Sequence, residues 1–235
     1  MLTPERIYVE ELLDAGEGSD DDVAENLSDI RRINRFFGGR NALMRAVAAS
    51  LGDSSSFSLL DVGTGSADIP GAILERYSKA ETAPTICALD ISERNLRVTR
   101  LRLGVAGGVN LVQGDARLLP FQDAAFDVVT ASLFLHHFHN EDAVLLLAEF
   151  ARVAGKVVII NDLTRNLIPY YFIKLLGPLF TKSFLTRHDG PVSVLRGFTG
   201  VELSGLARLA GMRRPRVKRV FPYRLLLTAD VSHAD

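Results

Sequence analysis

Leu59-Leu60-Asp61-Val62-Gly63-Thr64-Gly65-Ser66-Ala67-Asp68 is the stretch that decides the fold. An apolar run from Phe57 to Leu60 ends in an acid, and a loop with two glycines follows. The next residues, Ile69 to Ser78, read as a helix, with Asp68 and Pro70 suited to its first turn. Strand, glycine turn and helix in that order let a nucleotide-like ligand meet bare backbone at a helix N-terminus. Gly63 and Gly65 can take backbone angles that a Cβ forbids. Alone the glycine pair is a weak signal, since plain strand-to-helix turns often look the same.

Working outward, strands and helices alternate. Thr85 to Asp90 reads as a strand ending in an acid, and Ser92 caps a helix that runs to Leu103. Gly104, Gly107 and Gly108 break it. Val109 to Gln113 is a short strand ending at Gly114-Asp115-Ala116. Phe126 to Ala131 and Lys156 to Ile160 are the next strands, around a helix from Asn140 to Arg152. Such alternation predicts a parallel sheet with helices on both faces. A helix then runs from Phe198-Thr199 to Ala210, and two strands meet at a Phe221-Pro222-Tyr223 corner. A connection that short makes an antiparallel pair. The fold class expected is α/β: a Rossmann-like seven-stranded sheet, mostly parallel with the last strand antiparallel, under an N-terminal helical cap.

Upstream, Val23, Leu27, Ile30, Ile33 and Phe37 recur at helical spacing. Gly16 to Asp22 reads as a flexible acidic link. Gly38-Gly39 stops the first helix, and a second follows from Asn41 to Ala49. Gly52 to Ser56 reads as a plain loop. We therefore divide the chain into a cap at 1–52 and a core at 53–235, with a lid-like insertion at 163–198.

Composition bounds the function. The 235 residues are 47% hydrophobic and carry a net charge of -1, which predicts no partner class. Cys87 is the single cysteine, so no internal disulfide forms and a reducing, cytoplasmic setting fits. The start is acidic and lacks an apolar core, so no leader is expected. No run of about 18 apolar residues predicts a membrane span. Charge is lopsided: residues 1–30 hold ten acids and one base, and residues 208–224 hold seven bases and no acid. Two solvated faces explain this; so does a basic surface that meets anionic lipid, protein or nucleic acid.

In an open parallel sheet the ligand lies beyond the carboxyl ends of the strands. Asp61, Asp90, Asp115 and Asp162 all fall at or just past such ends. A carboxylate at Asp90, 25 residues after Gly65, can accept from both hydroxyls of a ribose. Asp115 and the Ala116 N–H can read an adenine edge. Each acid taken singly also fits a cap or a turn.

These stretches together resemble the class I S-adenosylmethionine-dependent methyltransferases. The family's acid-x-Gly-x-Gly-x-Gly motif appears as Asp61-Val62-Gly63-Thr64-Gly65-Ser66-Ala67, with Ala67 in place of the third glycine. The acid after strand two appears as Asp90, and the element after strand three as Gly114-Asp115-Ala116. Pro120-Phe121 with Phe126-Asp127-Val128-Val129 resembles the entry to strand four. The small-molecule branch, including enzymes of ubiquinone and menaquinone synthesis, is the most similar. The resemblance implies S-adenosyl-L-methionine as cofactor, held by Asp61, Gly63, Thr64, Gly65, Asp68, Asp90, Ile91, Gly114, Asp115, Ala116 and Ser132.

Methyl transfer from a sulfonium needs alignment and exclusion of water, and no metal. A hydroxyl acceptor also benefits from a base. His136, His137 and His188 are the candidates, each of which also reads as a packing or turn residue. Asp162, Tyr170 and Phe198 are candidates for binding the acceptor, and Tyr171, Phe172, Phe180 and Phe184 join them in an aromatic pocket. The expected reaction is methyl transfer to a small aromatic, phenolic or quinone-like molecule, with oxygen ahead of carbon. Contact with a membrane or a synthase is allowed by the apolar insertion. An NAD-dependent oxidoreductase shares the glycine turn but lacks a Tyr-x-x-x-Lys pair here. Nucleic-acid methylation is not expected: Ala131-Ser132-Leu133-Phe134 stands where base-amine enzymes carry Asn-Pro-Pro-Tyr, and Cys87 lies inside a strand. Cofactor binding without catalysis is the remaining alternative.

Overall fold

The computed structural model describes residues 3–52, 56–79, 82–104 and 108–231. Seven strands form one sheet: β1 (Ser58–Val62), β2 (Thr85–Asp90), β3 (Val109–Gln113), β4 (Phe126–Ser132), β5 (Ala154–Leu163), β6 (Arg213–Val220) and β7 (Arg224–Asp230). Their order is β3-β2-β1-β4-β5-β7-β6. Strands β1 to β5 are parallel, and β7 runs antiparallel to both β5 and β6. This is the sheet expected from the alternation.

The central strands β1, β2, β4 and β5 are mostly apolar because both faces are covered. On one face α5 (Asn140–Val153) and α8 (Gly200–Leu209) pack Leu146, Phe150 and Leu203 against Leu60, Val129 and Ile160. On the other, α2 (Gly39–Leu51) and α3 (Asp68–Arg76) pack Leu43, Val47 and Ile73 against Leu59, Val128 and Ile159. Leu59 and Leu60 point to opposite faces, as a period of two requires. The chain reverses its direction of sheet growth between β1 and β4. That switch point opens a crevice at the carboxyl ends of the strands.

Elements that border the crevice come from both ends of the chain. They are α1 (Asp20–Phe36), α4 (Glu93–Leu103), α6 (Leu167–Phe180), α7 (Phe184–Arg196) and a single 3-10 turn, Leu135–His137. The acidic stretch before α1 is not a free link. Asp20, Asp21 and Asp22 form the first turn of α1, where acids oppose the positive end of the helix dipole. Ser19 and Asp22 close a capping box. Asp20 then pairs with Arg94 at 2.7 Å and Arg97 at 3.0 Å on α4. Gly107 and residues 53–55 of the sequence reading lie outside the described residues.

The basic stretch at 208–224 divides into two. β6 is an edge strand, and Arg213, Arg214, Arg216, Lys218 and Arg219 stand exposed on it, where charge blocks edge-to-edge pairing. Arg224 opens β7 and is buried.

Among the described residues, no helix is long and apolar enough to cross a membrane.

Candidate active site

The glycine turn is built from below. Asp61, buried at the end of β1, accepts from Thr64 Oγ1 and Thr130 Oγ1, each at 2.7 Å. Burial pushes its carboxyl up to about 7, against those two hydrogen bonds. Asp61 therefore braces the turn from underneath and does not reach the cavity. Above it Gly63 and Gly65 take φ of +64° and +50°. Ala67 does the same at φ 50°, fully buried, so the missing third glycine leaves a left-handed alanine before α3.

Asp90 ends β2 beside this turn. Its Oδ2 accepts from the Gly65 N–H at 2.8 Å and its Oδ1 from the Ser92 N–H at 2.9 Å. Ser92 caps α4 through the Asn95 N–H. Gly114, Asp115 and Ala116 follow β3 on the same side. Asp115 is engaged by Arg117, which donates from Nη2 to Oδ2 at 2.7 Å and holds the carboxyl below its ordinary range.

A cavity of about 640 Å³ lies over these three strand ends, in the size range of cofactor sites. Its wall includes Gly63, Thr64, Gly65, Asp68, Asp90, Ile91, Gly114, Asp115, Ala116 and Ser132. All the candidate cofactor residues except Asp61 thus face one space.

His136 and His137 also line it, on the 3-10 turn after β4. His136 is buried, with Nδ1 2.6 Å from Asp162 Oδ1 and Nε2 3.5 Å from Glu11 Oε1. Burial opposes its charge, but the two carboxylates outweigh this and raise its pKa to about 9. Carboxylates at both ring nitrogens favour the imidazolium, a form with no lone pair to accept a proton. His137 turns Nδ1 to Asp14 Oδ2 at 2.6 Å. Glu11, His136 and His137 each bring a ligand-type atom within 4.8 Å of the others, as a metal would require. The Arg196 guanidinium also stands 4.0 Å from Glu11, so two side-chain cations already face that carboxylate.

The other candidates lie elsewhere. His188 is exposed beside Asp189, 2.8 Å from its Oδ1, and does not line the cavity. Asp162 is buried behind His136 and acts on the ring, not on the cavity. Phe198 is a core residue under the Arg6 guanidinium, 3.9 Å from its ring centre. Tyr170 packs against Tyr171 and Lys174 on α6. The inward positions of α6 are Pro169, Tyr170, Ile173 and Gly177, at helical spacing, and only Ile173 reaches the cavity. Tyr171, Phe172 and Phe180, together with Phe184 at the start of α7, are exposed and do not line this cavity.

Several wall residues are not among the site candidates that the sequence offers. Glu11, Leu13 and Asp14 arrive on the N-terminal segment, and Asn26, Ile30 and Asn34 on α1. Thr186, Gly190 and Ser193 come from α7, and Arg224 from β7. Arg224 carried a legible signal: a base heading the apolar run Leu225-Leu226-Leu227, at the sheet edge where the acids gather.

A methyltransferase domain family matches residues 59–156. The chain is 29% identical over 169 residues to a ubiquinone/menaquinone biosynthesis C-methyltransferase UbiE from Shewanella pealeana, covering 66% of this chain and 65% of that protein. The same enzyme from Ectopseudomonas mendocina is 34% identical over 138 residues, 52% of each chain. The matches thus span between half and just under two thirds of those relatives' lengths. Among solved structures, human N-acetylserotonin methyltransferase superposes with a TM-score of 0.65 at 15% identity, over 97% of this chain and 63% of that one. A methyltransferase from Aquifex aeolicus gives 0.64 at 19% identity, over 92% and 100%. Residues 59–156 thus match a methyltransferase domain family and are similar to the quinone-biosynthesis C-methyltransferases, and the chain has the fold of S-adenosylmethionine-dependent methyltransferases.

Proposed function

We propose that the protein transfers a methyl group from S-adenosyl-L-methionine to a small aromatic or quinone-like acceptor. One observation carries the cofactor half of this reading. Asp90, the glycine turn and Gly114-Asp115-Ala116 come from three strand ends and face a single cavity. That arrangement suits an adenosine: a carboxylate for the ribose hydroxyls, and an acid with a backbone N–H for the base edge. Human N-acetylserotonin methyltransferase, on the same fold, was solved in complex with this cofactor.

For the target atom we favour carbon. The expectation of oxygen rested on three histidines acting as bases; His136 has a carboxylate at each ring nitrogen and His188 lies outside the cavity, which leaves His137 alone. The relatives' names, C-methyltransferases, support the same choice. In this reading residues 1–52 act as a cap, and the 163–198 insertion closes the acceptor side through Ile173, Thr186 and Ser193. The setting is a reducing one, and nucleic acid is not a partner.

Calorimetry with S-adenosylmethionine and with NAD tests the cofactor. Binding of NAD without S-adenosylmethionine would sink the reading. Replacing Asp90 by alanine removes a charged acceptor, so affinity for S-adenosylmethionine should fall by about 1–3 kcal/mol.

A further inference from the structure

Arg224 is a buried cation whose two terminal nitrogens are unpaired among the described residues. It is 2% exposed, lines the cavity, and neither Nη1 nor Nη2 has a hydrogen-bond partner among the described residues. A buried guanidinium without an acceptor is costly, and native sites seldom leave one. Burial lowers its pKa to about 10, which still leaves it charged at neutral pH.

Its neighbours do not settle the charge. Asp162 is already bound by His136 through ring and backbone N–H. Asp68 is buried, its carboxyl raised by that burial, and its Oδ2 is also without a partner. The N-terminus of α2 adds to the positive side. A Cβ built on Gly39, its first residue, would come within 3.0 Å of both Arg224 Nη1 and Asn161 Nδ2. Gly38, the cap before it, makes no side-chain cap bond. A thirteen-residue helix start and a guanidinium thus meet at one place, and both favour an anion.

Position tells which anion. Most of the residues suited to the cofactor follow β1, β2 and β3, while Ser132 ends β4 and Asp68 opens α3. Arg224 sits on β7, beyond β4 and β5 in the sheet order, opposite Leu163. It lines the cavity on the side farther from β2 and β3. We propose that Arg224 binds an ionised oxygen of the methyl acceptor, a phenolate. This rests on the methyltransferase reading and adds the substrate class. A phenolate oxygen held there also enriches the neighbouring ring carbons, which suits carbon as the target.

The same guanidinium could instead hold the carboxylate of the cofactor's methionine, and the test separates the two. The probe is 4-nitrophenol, whose ionised form absorbs differently, added to the full chain saturated with S-adenosylhomocysteine. Bound 4-nitrophenol should ionise at lower pH than free 4-nitrophenol. Arg224→Met should weaken 4-nitrophenolate by about tenfold or more, the loss expected of a charged hydrogen bond. Its affinity for S-adenosylhomocysteine should stay unchanged. Arg224→Lys, which keeps the charge but not the fork, should fall between. An unshifted ionisation in the wild-type protein overturns the proposal whatever the variants do. So does equal 4-nitrophenolate binding by wild type and Arg224→Met. Weakened S-adenosylhomocysteine with Arg224→Met moves the guanidinium to the cofactor and also overturns it. Failure of wild type to bind S-adenosylhomocysteine at all would strike the methyltransferase reading instead.

Discussion

His136 and Asp162 are joined twice: the ring Nδ1 stands 2.6 Å from Oδ1, and the His136 backbone N–H donates to Oδ2 at 3.0 Å. Glu11 faces the opposite ring nitrogen from the N-terminal segment. The His136 pKa rises from 6.5 to about 9, so its stabilisation is complete below pH 6.5 and is lost as pH climbs through about 9. Burial pushes the Glu11 carboxyl up, but His136 and His137 outweigh it and bring it from 4.5 to about 2. Its stabilisation is present above pH 4.5 and lost as pH falls through about 2. Both contributions are complete between about pH 4.5 and 6.5. Melting temperature across pH should decline from 6.5 toward 9 in wild type and be flatter there in His136→Gln. Parallel curves would remove the imidazolium.

Gly63 has no room for a side chain. A Cβ there would lie 2.1 Å from Cδ2 of Phe134, and its φ is +64°. The ring cannot easily yield, because it packs against Phe138 and Phe150. Overpacking and the left-handed backbone together predict that Gly63→Ala costs about 2–4 kcal/mol in urea unfolding. Phe134→Leu in the same chain should recover part of that loss. Strictly additive costs would mean the collision is not what matters.

The sheet and the gathering of strand-end residues at one cavity were readable because each local signal repeats a rule of period or cap. Strands buried on two faces read as apolar runs, and Asp90, Gly65 and Asp115 lie within a few residues of a strand end. The acceptor half was not readable. Glu11 reaches His136 across 125 positions of sequence, and no periodicity announces such a contact. The aromatics of α6 misled for a different reason. Residue type signals a pocket, but helical phase decides direction, and only Ile173 points inward to the cavity. Arg224 belongs to a run of seven bases without an acid, which reads as one basic surface, whereas β7 lies inside the sheet edge formed by β6 and buries it.

Asp115 and Arg117 form an exposed pair, and exposed pairs contribute little. Arg117→Ala should leave stability within about 1 kcal/mol of wild type. It should also leave S-adenosylmethionine affinity equal or tighter, because the Asp115 carboxylate is released to face the base. Asp115→Ala should weaken that affinity by about 1–2 kcal/mol. Calorimetry on both variants decides it, and a weaker Arg117→Ala would make the arginine itself the contact.

Arg6 ties the N-terminal segment to the site. Its Nε donates to the Arg196 carbonyl at 2.6 Å, and its Nη2 to the carbonyls of Phe138 at 2.8 Å and His136 at 3.2 Å. Its Nη1 reaches Asn140 Oδ1 at 2.9 Å, and the plane lies over Phe198. One planar fork therefore fixes the turn that carries His136, the end of α7 and the start of α5. Without it, three partly buried carbonyls lose a charged donor. Arg6→Ala should lower unfolding free energy by about 2–4 kcal/mol in urea. Arg6→Lys should recover only a part, since an ammonium cannot span acceptors spaced for a guanidinium. The segment is held again at Leu12 and Leu13, whose N–H groups donate to Asp189 at 2.9 and 3.1 Å. Hydrogen exchange should therefore speed up at Ile7 in Arg6→Ala, while Leu12 and Leu13 stay protected. Equal loss at all three would show that the segment opens as one unit and that Arg6 alone holds it shut.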